Sequence, residues 1–250
     1  MHWRQWWAVA DLRPGRRPGA GYPPPWGPGE VALGLVAAIS LSILLVFALS
    51  GLAVLAGLEE GALLLRYAVF VATEGCLVVV ASAALLLAGT GPEALGLRSP
   101  ARPTGALGEG IAVGALLAAM TRGWTLALAR WAPPLHARLL LEEHRQLEFL
   151  AAPWPLLLVA ALVAAPAVEE VFFRGFVFGG LRSRLDFPLA SAASALVFAL
   201  IHLMPVSAPP LFVVGLGTAA LYERHRSLLP SLAAHVTYNG IALAASFLGL

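Results

Sequence analysis

Lysine is absent from this 250-residue chain, and cysteine occurs once, at Cys76. A single thiol excludes an intrachain disulfide. Lying inside an apolar run, it reads as a small buried hydrophobe. Charge is scarce, at 12% of residues, about half the share of a soluble domain. The net charge of +2 is too small to call for a nucleic-acid partner. With 59% hydrophobic residues and a mean hydropathy of +0.81, the chain has too little polar surface to face water all round. Alternating apolar and polar residues are also missing, which speaks against strands. The first 29 residues lack the short apolar core and small residues of a cleavable signal. Their Arg and Pro/Gly content predicts a disordered cytoplasmic tail, with Trp3, Trp6 and Trp7 beside Arg4 at the membrane interface.

What the chain does have is a series of apolar runs near the roughly 20 residues that cross a hydrocarbon core. They cover about 31–58, 62–89, 105–132, 154–181, 187–204, 209–223 and 228–250. The expected fold is all-α, a polytopic bundle of about seven spans. The stretch 136–150 is too charged and too short to cross. Its Leu139, Leu140, Leu147 and Leu150 predict an amphipathic helix on the membrane surface. The chain thus divides into a tail (1–29), N-terminal spans (30–132), the surface helix with its loops (133–153) and a C-terminal core (154–250).

Arginine position sets the orientation. The tail and the loops holding Arg98 and Arg102, Arg182 and Arg184, and Arg224 and Arg226 fall on one side. The opposite short loops, 59–61 and 205–208, hold no Arg. The chain is therefore expected in a membrane, most simply a bacterial plasma membrane, with its N-terminus cytoplasmic.

Ionisable groups in hydrocarbon are costly and mark function by default. Glu169 and Glu170 occupy the fourth run. Glu170 and Arg174 are i,i+4, with the acid first, the favoured order for a helical ion pair. Glu169 points about 100° away without an in-helix partner, which makes it a candidate proton acceptor. Phe198 and His202 share a face of the fifth run, and His235 and Asn239 a face of the seventh. At about 1.5 Å per residue from the cytoplasmic ends, Glu169 lies about 20 Å deep, His202 about 22 Å, His235 about 10 Å and Asn239 about 16 Å. A carboxylate, two imidazoles and a carboxamide that meet inside a bundle are the parts of a water-activating hydrolase. Glu74 in the second run and Arg122 in the third reach similar depths, about 22–26 Å. Neither has an opposite charge on its own helix, so they are expected to pair and pin these two runs as antiparallel neighbours.

The motifs EEVFFR, FALIH and HVTYN, in that order, fit the patterns EExxxR, FxxxH and HxxxN. Over 154–250 the chain resembles the CPBP family of intramembrane proteases, which includes type II CAAX prenyl endopeptidases and bacteriocin-processing or self-immunity proteins. The resemblance implies a glutamate-dependent endopeptidase embedded in the membrane; no cofactor is expected, since a Glu170 paired with Arg174 would be a poor base for a zinc mechanism. Glu169 and His202 would activate water, His235 and Asn239 would stabilise the oxyanion, and Glu170 and Arg174 would support them. The expected partners are membrane lipid and a peptide or protein substrate, a lipidated one among the candidates. Two alternatives stay open. Glu169, His202 and His235 could hold zinc, leaving Glu170 as the base. The fold could also serve as a non-enzymatic immunity protein or scaffold.

Overall fold

The computed structural model describes residues 22–59, 63–149 and 154–248. Among them are eight helices and a short 3₁₀ turn at Pro92–Leu95. The helices are α1 (Pro28–Leu55), α2 (Leu63–Ala88), α3 (Pro103–Trp131), α4 (Pro133–Phe149), α5 (154–182), α6 (Phe187–Ile201), α7 (Ala208–His225) and α8 (Leu228–Leu248). Each apolar run forms one helix. Pro28, Pro103 and Pro188 open theirs, where a missing N–H costs nothing. Asp186 caps α6, accepting from Leu189 N at 3.1 Å.

Among the described residues four helices are long and apolar enough to cross a membrane: Pro28–Leu55, Leu63–Ala88, Pro103–Trp131 and Pro155–Arg182. The apolar helix α6 is shorter, at 15 residues. It ends at Ile201 rather than at residue 204, because Leu203 turns to a positive φ of 55°. The stretch expected to be a surface helix forms the helix α4, which begins directly after α3; the side chain of Leu147 and all of Leu150 lie outside the described residues. Residues 1–21, with Trp3, Arg4, Trp6 and Trp7, also lie outside them. Residues 22–27, expected in the disordered tail, lie against the bundle instead. Trp26 is buried, and its indole N–H donates to the Phe176 carbonyl at 3.0 Å. Tyr22 donates to Glu223 at 2.7 Å; burial, and the Glu223 charge beside it, push this phenol upward and keep it a neutral donor.

The central element is α5, against which α2, α6, α7 and α8 pack. It supplies the aromatic heart of the core. Phe172 and Phe173 meet edge to face at 5.2 Å, as do Phe173 and Phe198 of α6. α5 is not a regular α-helix. Ala160–Ala164 and Glu170–Phe178 wind in the wider π register, on either side of the segment Ala165–Glu169. Such wide turns concentrate at functional sites.

The helix carrying His235 and Asn239, α8, packs most extensively on α3. The surface that allows this is the spacing Ala106, Gly110, Gly114, Ala118 on α3, all buried, a small-residue stripe that lets backbones approach. A Cβ at Gly114 would collide with the Ala234 carbonyl and sit 2.8 Å from Thr237 Cβ. We therefore expect Gly114→Leu to cost at least about 1–3 kcal/mol and to reduce function by displacing His235. The same change at Gly123, where an added Cβ meets nothing, should be neutral. Cys76 is the sole cysteine and is buried, so thermal exposure to a thiol-reactive dye measures both. Equal melting of the two variants would refute the close-packing account.

Candidate active site

Glu169 and Glu170 stand where α5 passes from α to π register. They face different surroundings. The Glu170 side chain is 1% exposed and held by an ion pair on one side and a hydrogen bond on the other; among the described residues its Oε2 has no hydrogen-bond partner. Its Oε2 lies 3.2 Å from Arg174 Nε, and its Oε1 accepts from His235 Nδ1 at 2.8 Å. The expected Glu170–Arg174 pair is therefore present, with His235 as a third member. Arg174 also donates through Nε and Nη2 to Thr218 Oγ1 of α7, the Nε bond being 2.9 Å, and stacks on the Phe198 ring at 4.5 Å.

Glu169 is more open, at 14% exposure, and its carboxylate is not consumed by the fold. Among the described residues its Oε2 is buried without a hydrogen-bond partner, and its ionic neighbour is His235 Nε2 at 3.7 Å. The His235 ring thus spans the two carboxylates, Nδ1 tied to Glu170 and Nε2 turned toward Glu169. Anchoring one ring nitrogen fixes what the other presents.

His202 follows the end of α6. Its Nδ1 donates to the Phe198 carbonyl at 2.7 Å, satisfying an acceptor that the helix terminus leaves open. That bond leaves Nε2 with a lone pair. The Phe198 ring links the two imidazoles, 4.8 Å from His202 and 5.9 Å from His235. Asn239, one turn beyond His235, donates from Nδ2 to the Ala161 carbonyl at 3.0 Å. Local sequence explains that acceptor. In the π register Ala165 N–H reaches back to Ala160. The next donor in that register would be Pro166, which has no N–H. The Ala161 carbonyl is left free, and Asn239 takes it.

Glu169, Glu170, Arg174, Phe198 and His235 therefore converge, with His202 joined through Phe198 and Asn239 fixed to α5. The ion pair expected between Glu74 and Arg122 does not form. Helices α2 and α3 follow one another in sequence, yet α2 packs on α1 and α5 while α3 packs on α8, α7 and α4. Arg122 is exposed and lies near Glu143 of α4, whose carboxyl burial pushes up and His136 and Arg122 pull down. The charge acting on Glu74 is that of Glu169.

The zinc alternative does not fit this donor set. Among the described residues no three His, Cys, Asp or Glu side chains converge as metal ligands would. Both His235 nitrogens are turned to carboxylates, and His202 forms no ion pair with either glutamate. Two contributors escaped the sequence reading. Thr218 had no charge to mark it. Glu142 of α4 accepts from Val206 N and Ser207 N, each at 3.0 Å, and from Ser207 Oγ at 2.9 Å. It thereby caps α7 and holds the turn after His202. Its place among the polar residues of an amphipathic stretch carries no signal of that role in the sequence.

Residues 151–241, which contain all three motifs, match the family model described as type II CAAX prenyl endopeptidase Rce1-like. The candidate membrane peptidase YdiL of Bacillus subtilis (strain 168) is 27% identical over 85 residues, covering 34% of this chain. The chain spans 35% of the length of this curated relative. No solved structure matches the chain.

Proposed function

Because residues 151–241 match the type II CAAX prenyl endopeptidase Rce1-like family model, we propose that this chain is a membrane-embedded endopeptidase in which Glu169 activates the attacking water. The observation that carries the reading is the division between the two adjacent acids. Among the described residues each acid keeps an Oε2 without a hydrogen-bond partner, but that of Glu170 is ion-paired with Arg174 at 3.2 Å and its Oε1 is tied to His235 at 2.8 Å, whereas that of Glu169 has only the 3.7 Å approach to His235 Nε2.

In this reading Glu169 takes a proton from water as the oxygen attacks the scissile carbonyl. The free Nε2 of His202 accepts a hydrogen bond that orients the water. His235 Nε2, donating when both ring nitrogens carry hydrogen, and the second amide hydrogen of Asn239 face the oxygen that gains charge. Glu170 and Arg174 hold the His235 ring. The water is activated by a carboxylate, so no metal is required. Seven helices, α1 to α3 and α5 to α8, lie in the bilayer. The ends bearing Arg98, Arg102, Arg182, Arg184, Arg224 and Arg226 face the cytoplasm, and α4 lies on the opposite surface. Contacts of Arg98 with the Arg226 carbonyl at 2.5 Å and of Arg182 with Glu223 at 2.8 Å, which gather these arginines at one end, support that orientation. The family description points to a prenylated CAAX-box peptide as the substrate class.

Purified protein in liposomes is expected to cleave a fluorogenic farnesylated CAAX-box peptide, at a rate unchanged by excess chelator. No cleavage of prenylated or unprenylated peptide would overturn the peptidase reading. Cleavage lost to chelator and restored by zinc would overturn the metal-free chemistry.

A further inference from the structure

Glu74 is a carboxylate the fold does not use. It lies mid-way along α2, half-buried, and its Oε2 is enclosed without a hydrogen-bond partner. Helix α2 packs on the Ala165–Glu169 segment of α5, and α8 flanks the same segment. Glu169 also ends in an enclosed Oε2 without a partner. Two carboxylates from different helices are thus within reach of each other's charge, each with an oxygen that no described protein donor satisfies. Hydrocarbon cannot solvate such oxygens, and a purely structural carboxylate at this depth would be paired. Buried acceptors without protein donors are completed by water or ligand.

We infer that Glu74 is a further catalytic residue: a second carboxylate that receives the proton taken up by Glu169 and delivers it to the leaving amine. The inference rests on the peptidase reading above. The oxyanion donors, His235 and Asn239, come from α8, whereas Glu74 approaches from α2, so the two helices serve different substituents of the tetrahedral intermediate. The step balances. Water loses a proton to Glu169 as its oxygen bonds to the carbonyl carbon, and the carbonyl pair moves onto oxygen. That proton passes from Glu169 to Glu74. The intermediate collapses, the C–N bond breaks with its electron pair staying on nitrogen, and Glu74 protonates that nitrogen. Both carboxylates return to their starting charge.

A proton donor to the leaving group matters for an amine and not for a weakly basic phenolate. The test therefore compares a farnesylated CAAX-box peptide with an analogue carrying a p-nitrophenyl ester at the scissile bond. Glu74→Gln is expected to lose about 10²–10⁴-fold in kcat on the amide while cutting the ester at the wild-type rate. Glu169→Gln should lose both. Wild-type amide cleavage by Glu74→Gln, or equal loss on amide and ester, overturns the inference. Should Glu74→Gln fail to fold, by exposure of Cys76, Glu74→Asp carries the test. It keeps the acid one methylene short, and it should show the same selective loss in smaller degree; equal loss on both substrates again overturns the inference. A wild type that cuts neither substrate removes the peptidase reading itself, and a Glu169→Gln that cuts both removes Glu169 as the base; both results are distinct from failure at Glu74.

Discussion

Glu170→Ala is expected to destabilise the folded bundle by roughly 3–5 kcal/mol, the cost of stranding one member of a buried ion pair. Both side chains are 1% exposed, so water cannot replace the lost partner. At about 2–4 °C per kcal/mol for a chain of this size, the melting temperature should fall by roughly 6–20 °C, read in detergent from the reactivity of Cys76. Activity should fall with it, because Glu170 also holds His235 Nδ1 at 2.8 Å. Removing Arg174 as well should restore part of the stability, since no buried charge is then left alone. It should restore no activity, because the His235 ring stays unanchored. Recovery should be incomplete: Arg174 also bonds Thr218 and stacks on Phe198. Strict additivity of the two single changes would show that the pair contributes no coupling energy.

Much of this architecture was legible because hydrophobic run length is a local property. Every apolar run became a helix, and the charge-interrupted stretch became α4. The Glu170–Arg174 pair was legible for the same reason, since four residues on one helix fix a distance. Contacts between helices were legible only where a motif marked them. Glu74 and Arg122 matched in depth and sign, but depth does not specify which helices touch. The small-residue stripe from Ala106 to Ala118 draws α3 onto α8, away from α2. The pattern of four-residue spacing was present in the sequence and would have predicted a close helix partner, although not which one. The π turns depend on more than local propensity. Pro166 removes a donor, and Asn239, 73 positions later in the chain, supplies a replacement at Ala161. Such compensation appears only once the helices are docked.

Glu169→Gln is expected to abolish peptide cleavage, a loss of at least about 10³-fold, toward the upper part of the range for removing a general base, while leaving the fold intact. The structural side of the expectation rests on what Glu169 does not do. Among the described residues it donates to nothing, its Oε2 accepts from nothing, and its one ionic contact is the long 3.7 Å approach to His235 Nε2. Glutamine has nearly the same shape, so packing around α5 should be preserved. Without a charge it cannot accept a proton from water, and the remaining oxyanion donors cannot substitute for a base. The melting temperature should therefore stay close to wild type, in contrast to the large drop expected at the neighbouring Glu170. That contrast between two adjacent residues of the same type separates chemistry from stability within one assay pair. A Glu169→Gln protein that cleaves at the wild-type rate would falsify the assignment of the base. If Glu169→Gln instead melts as early as Glu170→Ala, Glu169 is part of the packing and the loss of activity says nothing about water activation. His235 supplies a third measure. Its Nδ1 stays tied to Glu170 in the Glu169→Gln protein, so a nitrogen-15 signal from that ring should shift at Nε2 and hold at Nδ1, and the reverse pattern is expected for Glu170→Gln.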